Sequence, residues 1–373
     1  MVTIAKRVKN IQASGIRRVF SLAGQIKNPV NLSLGQPDFD ASDLVKEAAT
    51  SAIRHGFNKY TPTEGLPELR KKIAEKLQRE NGIIAKPEEV LITTGVSGGL
   101  FLTFATLFEP GDEVIIPDPF FVIYREIPKF LGIITKFVDT YPDFRLPLTK
   151  IAQAIGPKTK AILLNSPNNP TGVVYNREEI EGVVALAKKH NLIIISDEIY
   201  EAFTYDQLPN FSPASLYKQT VTLNGFSKTA GIPGWRIGYL HAPKGIINEM
   251  AKLQQYTFVC APSFAQVAAL KALDLITGNI RDNYQAKRDR IYKGLKDCFE
   301  LSKPQGAFYA FPKIPAGGKT TFLTNTLAEG VLLIPGSVFS RKNTHFRLSF
   351  ATTDEILDRG VKILRKIAKT KTP

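Results

Sequence analysis

The stretch AILLNSPNNPTGVVYNREEIEGVVALAKKHNLIIISDEIY, residues 161–200, sets two short apolar runs on either side of one helical pattern. The runs AILLN (161–165) and LIIIS (192–196) are evenly apolar, as strands covered on both faces are. Between them EEIEGVVALAKKHN (178–191) repeats apolar residues every three to four positions, the period of an amphipathic helix. Strand, loop, helix and strand in that order predict a parallel βαβ unit.

The same alternation extends outward through VLITT (90–94), EVIIP (113–117), TVTLN (220–224) and RIGYL (236–240). It predicts an α/β domain over residues 45–275, a mostly parallel sheet flanked by helices. On either side the texture changes. A long helical pattern (280–299) leads through strand-like GAFYAFP (306–312) and HFRLSFA (345–351) to a closing helix from about Thr353. Residues 1–44 and 276–373 are therefore expected to form a smaller α+β domain.

Composition narrows the class. With 43% hydrophobic and 22% charged residues in 373, the chain reads as a globular protein with a large core. Its longest apolar runs are strand-sized, so no membrane span is expected, and the N-terminus offers no secretory h-region. Two isolated cysteines, Cys260 and Cys298, suit a reducing cytoplasm better than a disulfide scaffold. The net charge of +15 is spread over the wet faces of helices without a recognition motif, which argues for a solvated surface and against a nucleic-acid partner.

In open parallel sheets ligands bind beyond the carboxyl ends of the strands, and here the loops at those ends carry the chemistry. VLITT runs into Gly95-Val96-Ser97-Gly98-Gly99, which opens a helix and offers unpaired N–H groups to a phosphate. EVIIP leads to Phe120-Phe121, an aromatic face. AILLN ends in the rigid loop Ser166-Pro167-Asn168-Asn169-Pro170-Thr171-Gly172, and LIIIS ends in Asp197-Glu198-Ile199-Tyr200. TVTLN enters NGFSKTAGIPGWRIGY (224–239), where Lys228 and Arg236 lie eight positions apart in glycine-rich backbone.

NNPTG, SDEIY and SKTAGIPGWRIG, in this order, resemble the class I aminotransferases of fold type I, pyridoxal-phosphate enzymes related to aspartate aminotransferase. The similarity runs from LSLGQPDF at 32 to RLSFA at 351. It implies amino-group transfer from an L-amino acid to a 2-oxo acid through a Schiff base between pyridoxal 5'-phosphate and Lys228. That role needs an uncharged amine, which a low-dielectric pocket and the Arg236 cation favour. Arg236, with its planar fork of donors, would grip the phosphate. The resemblance further implies that Asp197 pairs with the pyridine nitrogen, that Tyr200 and Asn169 bond the ring hydroxyl oxygen, and that Phe121 stacks on the ring. Val96, Ser97 and Ser227 join the cofactor contacts. Arg347 would clamp the substrate α-carboxylate beside the backbone of Gly35, and Tyr60 would reach the phosphate of a neighbouring subunit, so a homodimer is implied.

The chain also departs from the pattern. Gly225 stands where serine is frequent, Phe121 where many members have tryptophan or tyrosine, and Ser97 where some dicarboxylate-using members have lysine. The motifs place no second arginine for a distal carboxylate. Two other chemistries share the scaffold: β-elimination of cysteine-conjugate type, and a non-catalytic cofactor-binding regulatory module. Unrelated motifs fail on context. Gly95-Val96-Ser97-Gly98-Gly99 fits a hydrolase nucleophile elbow without the upstream strands that fold needs. Gly317-Gly318-Lys319-Thr320 resembles part of a P-loop with no strand leading in. The four histidines at 55, 190, 241 and 345 lack metal-ligand spacing.

Overall fold

A computed structural model describes residues 3–24, 26–275, 279–315 and 319–369, so Gly317 and Gly318 of the P-loop-like stretch lie outside the described residues. A seven-stranded sheet forms the centre. Its strands are β1 (Val90–Thr93), β2 (Glu113–Asp118), β3 (Ile134–Asp139), β4 (Thr159–Asn165), β5 (Ile193–Asp197), β6 (Thr220–Gly225) and β7 (Gly238–His241), in spatial order β1-β7-β6-β5-β4-β2-β3. The five strands from β2 to β6 run parallel.

The αβ alternation read from residues 161–200 is realised in full. Apart from Lys160 the side chains of β4 are buried, because helices cover both faces of a parallel sheet. The intervening helix, Arg177–His190, begins with a reciprocal cap. Asn176 Oδ1 accepts from the Glu179 N–H at 2.9 Å, and Glu179 Oε2 accepts from the Asn176 N–H at 2.8 Å. It ends at Asn191 in the left-handed conformation, with Lys188, Lys189 and His190 facing the negative helix end.

Two strands differ from the reading of the sequence. Ile134–Asp139 forms an edge strand that no uniform apolar run announces, since its residues are mostly half-buried. The RIGYL run becomes β7, which is antiparallel to both β6 and β1. This reversal has a spatial consequence. Gly238, the first residue of β7, pairs with Gly225 at the end of β6 and Thr93 at the end of β1, so Arg236 enters at the same sheet edge where the parallel strands end.

Close backbone approach explains the glycines of this corner. A Cβ on Gly225 would lie 2.9 Å from the Gly238 Cα and 3.1 Å from the Ile237 carbonyl oxygen. A side chain at 225 would press on the backbone of the β7 start. Chain crossings join the remaining residues. Val30–Asn31 pairs in parallel with Val331–Leu332, and Phe346–Ser349 lies antiparallel between Ile334–Pro335 and Tyr309–Ala310. The helix Asp354–Lys369 closes the described chain.

Candidate functional site

A cavity of about 720 Å³ lies beyond the carboxyl ends of the parallel strands. Each loop picked out in the sequence supplies part of its wall: Val96 and Ser97 after β1, Phe121 after β2, Asn169 after β4, Asp197 and Tyr200 from the end of β5. Ser227, Lys228 and Arg236 come from the β6–β7 connection, and Gly35 and Arg347 complete the wall. Tyr60 is the exception: it is 83% exposed and is not part of this wall within its own chain.

Lys228 occupies the single helical turn Phe226–Thr229, which follows directly on Gly225 at the end of β6. Its Nζ donates to the Gly35 carbonyl at 2.6 Å. Burial, followed by the fields of Arg347 and Arg236, pushes its pKa down to about 8, while Asp197 opposes the shift. Asp197 shows the converse. Burial raises its pKa to about 6, against the lowering effect of the Tyr124 hydroxyl, the Ile199 N–H and the Lys228 charge. Tyr124 Oη donates to Asp197 Oδ2 at 2.8 Å and the Ile199 N–H to Oδ1 at 3.2 Å. Both hydrogen-bond donors are neutral, so a buried carboxylate faces the cavity with no cation bonded to it among the described residues.

At one end, Arg236 lies against the helix Gly95–Leu107. A Cβ on Gly95 would come within 2.5 Å of Arg236 Nη2, so the bare backbone lets the guanidinium reach the helix start. The left-handed φ values of Gly95 (69°) and Arg236 (53°) shape this meeting. Arg236 donates to the Pro233 carbonyl at 2.9 Å and is exposed, while the first-turn N–H groups point outward beside it.

At the other end, Arg347 is 1% exposed. Its Nη1 donates to Asn169 Oδ1 at 3.0 Å and its Nη2 to the Ser33 carbonyl at 2.9 Å, while Nε is buried without a partner among the described residues. The guanidinium carbon lies 4.4 Å from the Tyr309 ring centre and 4.5 Å from that of Phe339. Tyr309 Oη lies 2.9 Å from Tyr200 Oη, and a Cβ on Gly35 would meet Tyr309 Oη at 3.0 Å.

Several of these groups escaped the sequence reading. Tyr124 follows the aromatic Phe120-Phe121 pair by one turn, and its position just past a strand was the available signal. Asn165, whose Oδ1 accepts the Asn169 N–H at 2.9 Å, is the last residue of β4 and read only as a strand end. Tyr309 lies in the alternating GAFYAFP run, in register with Ser349, and only pairing with the Arg347 strand brings it to the cavity.

This donor set fits pyridoxal phosphate. A helix N-terminus beside a guanidinium suits a phosphate, a buried carboxylate awaiting a cation suits a pyridinium, and an amine of depressed pKa suits an aldehyde. Comparison with known proteins agrees. Residues 27–364 match the family model described as aminotransferase class I and II. The chain is 40% identical to the probable aspartate aminotransferase of Methanocaldococcus jannaschii, over 98% of this chain and 99% of that one. It is 36% identical to aromatic-amino-acid aminotransferase 2 of Thermococcus litoralis, over 99% of each. A solved aspartate aminotransferase of Thermus thermophilus with maleate superposes with a TM-score of 0.93 at 35% identity, covering 98% of this chain and 100% of the other. With loops, sheet and relatives in agreement, the chain belongs to the class I and II aminotransferases and transfers amino groups.

Proposed function

We propose that the cavity binds pyridoxal 5'-phosphate and moves an amino group from an L-amino acid to a 2-oxo acid in two half-reactions. The observation that carries this reading is the convergence of Lys228, Asp197 and Arg347 on one cavity with Arg236 at its helix-terminal end. When bound, the cofactor supplies an aldehyde that condenses with amines and a ring that takes up the electron pair left when the α-proton departs.

The residues of the chain do the rest. Arg236, the N–H of Val96 and the hydroxyls of Ser97 and Ser227 hold the phosphate. Asp197, kept in place by Tyr124, gives its carboxylate to the ring nitrogen and keeps that nitrogen protonated. Phe121 covers one ring face, while Tyr200 and Asn169 address the ring hydroxyl. Arg347 binds the substrate carboxylate beside Gly35, and its uncommitted Nε supports such a ligand. Lys228 moves the proton at the α-carbon, for which a pKa of about 8 leaves a useful share of free amine near neutral pH.

Residues 45–275 would carry the cofactor and residues 1–44 with 276–373 would form the smaller domain. The parallel pairing of Val30–Asn31 with Val331–Leu332 supports that division. The strong exposure of Tyr60 supports a homodimer in which it reaches the partner's phosphate site. The free thiols of Cys260 and Cys298 fit a cytoplasmic enzyme. Among the described residues no helix is long and apolar enough to cross a membrane.

Borohydride treatment of the cofactor-loaded protein tests the reading. A pyridoxyl group fixed on the peptide containing Lys228 is expected. A protein that gains no visible absorbance with added cofactor, or carries the label on another lysine, overturns it.

A further inference from the structure

One ion pair behind the cavity has no part in the proposed chemistry. Lys287 is 7% exposed, and its Nζ donates to Asp38 Oδ2. Asp38 stands three residues beyond Gly35, on a stretch of irregular backbone that begins after Asn31. This segment touches both cations of the amino-acid end. The Ser33 carbonyl accepts from Arg347 at 2.9 Å, and the Gly35 carbonyl accepts from Lys228 at 2.6 Å. Backbone without a ladder of its own keeps its shape only through the groups that grip it.

The grip comes from the helix Asn279–Leu295. Tyr284 and Lys287, three residues apart, share one face of it. Tyr284 Oη donates to Asp38 Oδ1 at 2.6 Å and accepts from the Asp38 N–H at 3.2 Å. Burial and the Asp38 carboxylate push the Tyr284 hydroxyl far above its ordinary pKa, so it stays a donor. Lys287 Nζ donates in addition to the Thr352 carbonyl at 2.7 Å, three residues past the strand Phe346–Ser349 that carries Arg347. The next residue, Phe39, meets the Tyr284 ring edge-on at 6.3 Å. A Cβ on Gly231 would come within 3.0 Å of Phe39, so the same node touches the loop between Lys228 and Arg236.

We infer that Asp38 is a positioning residue: clamped by Lys287 and Tyr284, it fixes the carbonyls of Ser33 and Gly35 against Arg347 and Lys228 and so presets the frame that receives an amino acid. This deepens the proposed function and rests on it for what Arg347 and Lys228 bind. A segment freed from the clamp has backbone freedom that binding must remove again, and affinity falls by that amount. The effect acts on the carboxylate and amino end common to all donors, so it is blind to the side chain.

Cofactor-loaded wild type, Asp38→Asn, Lys287→Met, Lys287→Arg and Arg290→Met are titrated with 2-methylalanine, an amino acid without an α-proton, and followed by cofactor absorbance. Arg290 is the control, since it lies on the same helix but pairs with Asp354 and Asp358. Asp38→Asn and Lys287→Met are expected to bind the amino acid about 10-fold more weakly at unchanged cofactor affinity, with Lys287→Arg recovering most of the loss. Half-reactions with L-alanine, L-aspartate and L-phenylalanine should lose kcat/KM by one common factor, mainly through KM. Amino-acid affinity within about twofold of wild type in both clamp variants overturns the inference, and so does an equal loss in Arg290→Met. If wild type captures no cofactor, the proposed function falls, and Asp38 is decided in the apo-protein by acetylation of Lys228 with acetic anhydride, read by mass spectrometry. The bond to Gly35 favours the protonated amine, which otherwise faces Arg347, Arg236, Asp197 and the rings of Tyr200 and Phe308. A loosened segment should therefore lower the pH midpoint of labelling by about half a unit or more, and an unchanged midpoint overturns the inference.

Discussion

Lys76 and Lys228 are two lysines withdrawn from water on opposite sides of the β6 end, and their surroundings treat the ammonium in opposite ways. Lys76 is 3% exposed, bonded to the Glu201 carboxylate and, at 2.8 Å, to Asn81 Oδ1, with Glu80 Oε2 at 3.6 Å. Burial pulls its pKa down, but Glu201 and Glu80 more than offset that, and the group is held firmly charged. Lys228 bonds only a carbonyl, faces two arginines and drops to about 8. A buried charge that is fully paired is a structural element, while one left among like charges beside an open cavity is available for chemistry.

The sharpest way to break this contrast is to remove each amine in turn. Lys228→Ala should lower turnover by at least about 10⁴-fold with the fold intact, read from single-turnover kinetics and circular dichroism. Lys76→Met should act on stability instead. It leaves the half-buried Glu201 without its cation, which costs up to about 3–5 kcal/mol in denaturant unfolding. If Lys76→Met abolished chemistry in a protein of wild-type stability, the division between the two lysines would be wrong.

Asp197→Asn comes next. On the proposed role of Asp197 at the ring nitrogen, losing its anion should reduce kcat by about 10³-fold, a loss of about 4 kcal/mol in transition-state stabilisation. The side chain that orients the carboxylate should matter less. Tyr124→Phe removes one hydrogen bond to a charged group, worth about 1.5–3 kcal/mol, and should lower cofactor affinity measurably. Equal effects of the two substitutions would make the hydroxyl, and not the carboxylate charge, the principal partner of the ring.

The pH dependence of Lys228 has a definite sign. Its folded pKa lies below the ordinary value of 10.5, so the folded apo-protein resists protonation that the unfolded chain accepts. Below pH 8 the penalty is complete, and stability is regained as pH rises from about 8 towards 10.5. Apo Lys228→Met should therefore exceed wild type at pH 7 by on the order of 1–3 kcal/mol, a gap that closes by pH 10. Cofactor capture by apo wild type should accelerate through a midpoint near pH 8, followed by stopped-flow absorbance. A flat profile from pH 6 to 9 would contradict the depressed amine.

The sequence disclosed the strand-end loops because strands buried on both faces make uniform apolar runs and their ends are marked by Gly, Pro, Asn and Asp. Lys228, Asp197, Asn169 and Arg236 were legible for that reason. Partners that arrive through tertiary packing were not. Tyr124 is the second residue of the helix Ile123–Leu131 and Tyr309 depends on strand pairing. The antiparallel direction of β7 was equally hidden, since an apolar run carries no sign of its polarity. Lys76 and Lys228 differ in which charges folding brings to them, carboxylates to the first and guanidinium groups to the second.

The mildest test concerns Glu198, adjacent to Asp197 in sequence yet turned into the seam beside Lys76. Alternation along β5 and the turn after it place the two acids differently, and Glu198 Oε1 accepts from Ser196 Oγ at 2.8 Å and Ser212 Oγ at 2.6 Å, far from the role of Asp197. Its Oε2 is buried without a partner among the described residues. Burial, helped by the nearby Glu201 charge and opposed by the two serine hydroxyls, raises its pKa to about 8. Glu198 is therefore mostly neutral at pH 7, and glutamine reproduces its shape and its acceptor. Glu198→Gln should keep kcat/KM within about twofold of wild type at that pH. Because the folded pKa is raised from 4.5, wild type has its full contribution below that value and loses it as pH rises through 8. The two proteins should match in stability at pH 5, and the variant should lead by about 1–3 kcal/mol at pH 9. A Glu198→Gln protein that is as inactive as Asp197→Asn would mean that the seam and the cavity act as one charged unit, and the distinction drawn from the two lysines would have to be abandoned.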